Sequence, residues 1–258
     1  MYLVHAGRLN LLKLLPSMSV TRIAEVGVFN GDLSKKILEF LEPEELVLVD
    51  KWEMAQATRA ELFRDGIIPL HMANVLDTYS SYFDGNADDA LQKAYDVVFG
   101  LAKDNSAIRI LRKDSILAAR DFEDGYFDII YIDAFHFYES ALGDLFEWHR
   151  KLKHGGIIIC NDFYESSIGA RQNLGVIAAV STFLKRTGAS AIAVSAMPFS
   201  DIYLTNNTQS DLVKIFINSI ICSDYSKLKI SPDNILAFHH ELHQIDGKTI
   251  KIPSITLT

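Results

Sequence analysis

Cysteine is almost missing from this chain. Its two, Cys160 and Cys222, are too few and too far apart for a disulfide framework or a zinc-finger spacing, and both read as buried thiols. A basic excess is missing too. Lys and Arg number 25 against 33 Asp and Glu, a formal charge of -8, which excludes a broad nucleic-acid surface because phosphate binding needs clustered cations. The short basic groupings Lys151-Leu152-Lys153-His154 and Lys185-Arg186 fall at expected helix C-termini, where cations favour the helix dipole. There is no internal repeat, no low-complexity linker, and no apolar run near the ~20 residues of a membrane span. Residues 1–5 show no charged segment leading into an apolar one, so a cytoplasmic protein without a leader or a membrane partner is expected.

What is present is a chain of 258 residues, 49% hydrophobic, long enough to bury one large core. One α/β domain with additions follows. The pattern is organised around Ile23-Ala24-Glu25-Val26-Gly27-Val28-Phe29-Asn30-Gly31, a short apolar run that breaks into glycines just before a helical pattern. Glycine is needed where the backbone takes positive φ or lets a ligand lie against it, and a helix start beyond the turn offers free N–H groups. The spacing Glu-x-Gly-x-x-x-Gly lacks the third glycine of a dinucleotide-binding loop, so a pyrophosphate cradle is not expected. An acid leading the loop suits a ligand with a positive end. A tight turn with no ligand fits the glycine pair equally well.

Residues 8–15 read as a short helix ended by Pro16, so 1–22 form an N-terminal helical segment. After Gly31 the positions Leu33, Ile37, Leu38 and Leu41 have helical spacing, and Pro43 ends the pattern. Glu45 to Asp50 is a continuous apolar run closed by an acid, a buried parallel strand whose carboxylate would accept both hydroxyls of a ribose. Residues 51–89 mix a helical piece near 55–63 with a polar aromatic segment and read as a cap over an acceptor substrate. A helix over 90–102 and a strand over 107–112 follow, ending in Lys113-Asp114-Ser115 beside the expected base of the ligand. Phe127 to Asp133 is the next strand, then a helix from Glu139 stopped by Gly155-Gly156, then a strand Ile157 to Cys160 closed by Asn161-Asp162. A helix over 175–184 and strands over 191–194 and 202–205 complete the alternation. Strand and helix in turn fix a mostly parallel sheet covered on both faces. Four strand ends carry Glu25, Asp50, Asp133 and Asn161-Asp162, and carboxylates gathered on one edge repel unless a cation or donors hold them.

From 23 to 205 the chain resembles the class I S-adenosylmethionine-dependent methyltransferases, and within them the macrolide-sugar and other metal-dependent O-methyltransferases. The likeness rests on the loop 24–31, Val49-Asp50-Lys51-Trp52, Arg112-Lys113-Asp114-Ser115, the run Phe127 to Tyr138, Asp144 and Trp148 in the following helix, and Asn161-Asp162-Phe163. It implies a Rossmann-like, doubly wound, seven-stranded sheet with a C-terminal extension. It further implies S-adenosylmethionine held by Glu25, Gly27, Phe29, Gly31, Asp50, Lys51, Trp52, Asp114, Ser115 and Asp133. Asp133, Asn161 and Asp162 would hold Mg²⁺ against the acceptor oxygens, and His136 would be the general base, with Asp133 also catalytic. The sequence departs from the pattern where relatives carry further acids, at Ala134, Phe135 and Asn161, and where catechol-type relatives carry Lys in place of His136. These departures thin the expected metal site.

The resemblance implies O-methylation of a small hydroxylated molecule, a sugar or a natural product. The alternative is a non-catalytic module that keeps the fold without the chemistry. The loop 163–173, with Arg171, and the lid would set specificity. Residues 206–258 form a C-terminal extension with an amphipathic helix (Leu212, Ile215, Phe216, Ile220) and a His cluster, His239-His240-Glu241-Leu242-His243. That extension is expected to dock on the domain or to build a homo-oligomer contact, a surface role being favoured for the histidines over metal binding.

Overall fold

The structure is a computed structural model describing residues 1–53, 87–164, 175–197, 199–231, 240–245 and 248–253. Most of the expected lid with its helix near 55–63, the loop containing Arg171, and His239 lie outside the described residues. The strands of the main sheet are β1 (Tyr2–Val4), β2 (Arg22–Val26), β3 (Glu45–Asp50), β4 (Ile108–Arg112), β5 (Phe127–Ile132), β6 (Leu152–Cys160), β7 (Ser190–Ser195), β8 (Ile202–Thr205) and β9 (Lys227–Lys229). The helices are α1 (Arg8–Leu12), α2 (Asp32–Leu41), α3 (Ala87–Asp104), α4 (Ser115–Ala119), α5 (Tyr138–Lys151), α6 (Val176–Thr187) and α7 (Asp211–Cys222). A two-stranded hairpin, β10 (His240–Ile245) with β11 (Lys248–Pro253), forms a separate sheet. None of the described helices is long and apolar enough to cross a membrane.

The strand order is β4-β3-β2-β5-β6-β8-β7-β1-β9, nine strands where the sequence predicts seven. The seven are all there. The two additions flank each other at one edge, β1 parallel to β7 and β9 antiparallel to β1. Each spans three residues, too few for a period to register, and together they draw the N-terminal segment and part of the C-terminal extension into the sheet. A second correction concerns Gly155 and Gly156, which do not stop a helix. Helix α5 runs directly into β6 at Leu152, and the glycines lie inside the strand, where the pairing with β5 shifts register after Phe127. A Cβ on Gly155 would stand 2.3 Å from Ser210 Cβ, and one on Gly156 would stand 2.7 Å from the Asp128 carbonyl oxygen.

Alternation within the parallel strands sends side chains to two cores, as burial on both faces requires. From β3, Val47 and Val49 belong to one core with Trp148, Leu145 and Phe183 of α5 and α6, while Leu46 and Leu48 belong to the other with Ile37, Leu41, Phe216 and Ile220 of α2 and α7. Helix α7 therefore docks on the domain, burying Leu212, Val213, Phe216 and Ile220. Ile215, expected on that face, is exposed.

Three carboxyl groups are enclosed beneath the carboxyl edge of the sheet. Glu25 is 1% exposed and accepts a 2.6 Å hydrogen bond from Ser34 Oγ, and burial pushes its pKa up to about 8. Asp144 accepts from Ser115 Oγ and Asp201 from Tyr131 Oη and Asn161 Nδ2, and burial pushes each to about 7. Folding thus takes up protons at these groups. The stability that goes with them is fully present below the ordinary carboxyl range and is lost as pH rises through about 7 to 8.

Among the described glycines the tightest approach lies at Gly27, with φ 86°, where an added Cβ would fall 2.0 Å from the Asp133 carbonyl oxygen. Gly27→Ala should cost about 3 kcal/mol or more, read from urea unfolding; a loss below about 1 kcal/mol would show that the two backbones can separate cheaply. Glu25→Gln should melt below the wild-type protein by a gap that is widest near pH 5 and narrows by pH 8.5, because Asp144 and Asp201 titrate in both proteins and only wild type also loses the proton-linked stability of Glu25. A gap independent of pH would contradict the burial account of Glu25.

Candidate active site

The order β4-β3-β2-β5-β6 reverses direction between β2 and β5, so the loops after these two strands leave in opposite senses and open a crevice at the carboxyl edge. Asp50, at the end of β3, holds the glycine loop. Its Oδ2 accepts from the N–H groups of Val28 and Phe29, and its Oδ1 from that of Trp52, all at 2.9 Å. A carboxylate has roughly four lone-pair sites, so these bonds leave less capacity than both hydroxyls of a ribose would take. Trp52 itself is buried and donates from Nε1 to the Phe29 carbonyl at 2.7 Å. Phe29 and Trp52 take φ 50° and 49°, left-handed conformations that non-glycine residues hold only when their surroundings fix them.

Beyond the end of β4, Asp114 caps α4 by accepting from the N–H groups of Ile116 and Leu117, and Lys51 Nζ lies 3.4 Å from its other oxygen. Lys51, Glu53, Arg112, Lys113, Asp114 and Leu117 line a cleft of about 370 Å³ there. Ser115 turns away from it. Its hydroxyl donates to Asp144 and accepts from Trp148 Nε1 at 2.8 Å.

Across the crevice stand Asp133, His136 and Asp162. The imidazole sits between two carboxylates, with Nε2 3.3 Å from Asp133 Oδ1 and Nδ1 3.5 Å from Asp162 Oδ2. These are ion-pair distances without hydrogen-bond alignment at Nε2. His136 Nε2 and Asp162 Oδ1 are both buried without a hydrogen-bond partner. Burial alone would lower the imidazole pKa, but Asp133, Asp162 and Asp144 outweigh it and raise it above 6.5. Burial also raises the Asp162 carboxyl, against the opposing pull of His136. Asp162 has φ 55° and is bracketed on both sides: Asn161 Nδ2 donates to Asp201 at 2.8 Å, and Phe163 N–H donates to the Ser200 carbonyl at 2.8 Å. On the far side of Asp133, Arg8 Nη1 approaches Oδ2 at 3.3 Å.

The predicted residues are thus brought together, but with changed duties. Gly27, Phe29, Gly31, Asp50, Lys51, Asp114, Asp133, His136 and Asp162 border the crevice or its cleft. Glu25, Trp52, Ser115 and Asn161 are committed to protein partners beneath it, Glu25 to Ser34 and Asn161 to Asp201. Arg8, Ser34, Tyr131 and Asp201 were not legible as site residues. The apolar context of Tyr131, and a sequence separation of 125 residues between Arg8 and Asp133, conceal their roles.

The expected Mg²⁺ ligands do not fit the ion. Mg²⁺ needs several hard oxygens disposed near an octahedron. Here the two oxygens of Asp133 face Arg8 and His136, and the side-chain amide of Asn161 is drawn to Asp201. Among the described residues no group of three His, Cys, Asp or Glu side chains is arranged to hold a metal.

A family model described as a methyltransferase domain matches residues 24–163. No curated protein matches the sequence. Among solved structures, one from Staphylococcus aureus, provisionally assigned as a caffeoyl-CoA O-methyltransferase, is 17% identical with a TM-score of 0.50, covering 78% of this chain and 85% of that one. The spermidine synthase of Thermotoga maritima is 14% identical with a TM-score of 0.46 over 81% of this chain, which spans 59% of that protein's length. Aeropyrum pernix fibrillarin, solved with natively bound S-adenosyl-L-methionine, is 15% identical with a TM-score of 0.46, covering 72% of this chain and 66% of that one. With more than half of its residues matched, and a strand order that opens its crevice between β2 and β5, the chain belongs to the methyltransferase-domain family and has the fold of the class I S-adenosylmethionine-dependent methyltransferases.

Proposed function

We propose that the protein transfers a methyl group from S-adenosylmethionine to a hydroxyl of a small molecule, a sugar or a natural product. The observation that carries this reading is His136, whose Nε2 is enclosed at the crevice without a hydrogen-bond partner while carboxylates flank both ring nitrogens. S-adenosylmethionine, when bound, supplies an electrophilic methyl group on a positively charged sulfur. The backbone of loop 27–31, the remaining acceptor capacity of Asp50 and the wall formed by Lys51 and Asp114 would hold it. Trp52 fixes that loop from below, and Glu25 ties β2 to the helix that follows the loop.

His136 Nε2 accepts the proton of the acceptor hydroxyl, which frees an oxygen lone pair for attack. Asp162, facing Nδ1, orients the ring, and the two carboxylates stabilise the imidazolium that forms. No part of this reading uses Mg²⁺. A non-catalytic module on the same fold is the second reading, favoured by the diversion of Asn161 into the core, and it needs no proton acceptor.

S-adenosylhomocysteine at a hundred times its dissociation constant should add about 2.7 kcal/mol and raise the melting midpoint by roughly 5 to 10 °C, with NAD giving no shift. Absence of any shift with S-adenosylhomocysteine would sink the cofactor assignment. Against a panel of hydroxylated acceptors, the transfer rate should climb with pH through a value above 6.5, as the raised imidazole loses its proton. His136→Gln should lose about 10²- to 10⁴-fold in rate while S-adenosylhomocysteine affinity stays within about twofold. Full activity in that variant would remove His136 as the base.

A further inference from the structure

We propose that Asp201 is a positioning residue: one enclosed carboxyl, bonded at once to β5 and to the turn after β6, sets the gap between Asp133 and Asp162 in which the His136 imidazole stands. Its service to a catalytic base rests on the methyl-transfer reading; its hold on the two acids does not. The ladder between β5 and β6 ends just short of those acids. Tyr131 pairs with Ile159 and Ile132 with Cys160, and the last bond runs from the Asn161 N–H to the Ile132 carbonyl at 2.9 Å. Asp133 and Asp162 are the next residues on each side, so the pairing of these two strands does not reach them. Asp133 is fixed independently, by the bond from its N–H to the Val26 carbonyl at 2.8 Å. Asp162 depends on what grips its turn.

Asp201 stands immediately before β8 and is 0% exposed. It accepts from Tyr131 Oη on both oxygens, at 3.0 and 2.9 Å, and from Asn161 Nδ2 on Oδ1 at 2.8 Å. Tyr131 precedes Asp133 on β5, and Asn161 is joined directly to Asp162, so one carboxyl ties together the two chains that carry the acids. Its own place is fixed at the end of β7, where its N–H donates to Ser195 Oγ at 2.8 Å and its carbonyl accepts from the Ser195 N–H at 2.9 Å. On the other side of Asp162, the Phe163 N–H donates to the Ser200 carbonyl at 2.8 Å. Two adjacent residues therefore hold both neighbours of Asp162. The side chain of Asp162 cannot do this for itself: among the described residues Oδ1 is buried without a hydrogen-bond partner, and Oδ2 meets the imidazole as an ion pair at 3.5 Å. Its φ of 55° is a left-handed conformation that persists only where the surroundings fix it. Satisfying two buried donors does not by itself call for a carboxyl. Burial pushes Asp201 up to about 7, so its contribution to stability falls as pH rises through that value, a cost that a backbone carbonyl would not carry. What the carboxyl adds is two acceptors on one rigid plane, enough to take a donor from each strand.

The test reads the imidazole directly, in the full chain without ligand, by following the pH titration of the His136 ring with nuclear magnetic resonance, the signal being assigned by its loss in His136→Gln. Burial lowers that ring's pKa, and Asp133, Asp162 and Asp144 outweigh it, so a carboxylate that moves away lets the value fall. Asp162→Asn should lower it. Asp201→Ala should lower it by at least about half as much, and Asp201→Ala/Asp162→Asn no further than Asp162→Asn alone, because one change acts through the other. Asp201→Asn, which keeps an acceptor for Asn161 and a partner for Tyr131, should titrate like wild type, so that the fall belongs to lost position rather than lost charge. Ile220→Ala, in the opposite core, should melt lower and leave the titration unchanged. Where Asp201→Ala does not fold, Asn161→Ala cuts the same tie from the side of β6 and should lower the His136 value in its place. A folded Asp201→Ala or Asn161→Ala that titrates like wild type would overturn the proposal. An Asp201→Asn or Ile220→Ala fall as deep as that of Asp201→Ala would do the same, and so would a double variant that falls below Asp162→Asn. Against the acceptor panel, Asp201→Ala should lose about 10²-fold in kcat with KM within about threefold, and Asp201→Asn should regain most of it. Wild type with neither transfer activity nor S-adenosylhomocysteine binding would remove the methyl-transfer reading and leave the titration to decide the hold of Asp201 on its own.

Discussion

The contact between Gly27 and the Asp133 carbonyl is the constraint on which the rest of the edge depends. Val26 pairs with Ile132 in register, the Asp133 N–H donates to the Val26 carbonyl at 2.8 Å, and the Gly27 N–H donates to the Val49 carbonyl at 2.8 Å. Three strands are thus tied at one level, and only a residue without Cβ lets the backbone after β2 pass so close to the end of β5. Once that passage is fixed, the loop must turn away from β5 over the end of β3. Asp50 is then below it to collect its N–H groups, while the chain after β5 turns the other way and carries His136 to the opposite wall.

The edge gathers more acid than base, and the protein neutralises it in two ways. Enclosed carboxyl groups are neutralised by protons: Glu25, Asp144 and Asp201 have pKa values pushed to about 8, about 7 and about 7. Asp133, nearer solvent, is met by Arg8 and His136, and at the opposite edge of the sheet Asp128 is met by Lys153 at 2.7 Å together with the N–H groups of Thr21 and Arg22. The division follows burial, since bringing a counter-ion into a closed pocket costs more desolvation than protonating the acid.

How much could be read in the residues depended on length and period. Strands β3 and β5 announce themselves as continuous apolar runs closed by acids, and the structure keeps their ends within a residue of expectation. Strands β1 and β9 carry no such signal in three residues, and their pairing is set by tertiary contact. Which residues approach the crevice was legible; which way their side chains point was less so. Trp52 and Ser115 occupy the expected positions but face protein, because an indole N–H beside the Phe29 carbonyl and a hydroxyl between Asp144 and Trp148 satisfy buried polar groups that strand order cannot reveal. The glycines of β6 misled for a similar reason. Their need arises from Ser210 and Asp128, distant in sequence, rather than from a helix end.

The pairing of β1 has a bearing on how the protein comes into being. Leu3 lies opposite Val194 on one side and Leu228 on the other, so β1 cannot pair until strands much later in the chain have been made. Contacts so distant along the chain are slow to form. The crevice between β2 and β5 can be framed earlier, but Arg8 rides on the segment that arrives with β1, so its guanidinium reaches Asp133 only when β7 and β9 exist. Until then the imidazole and both acids stand without their arginine.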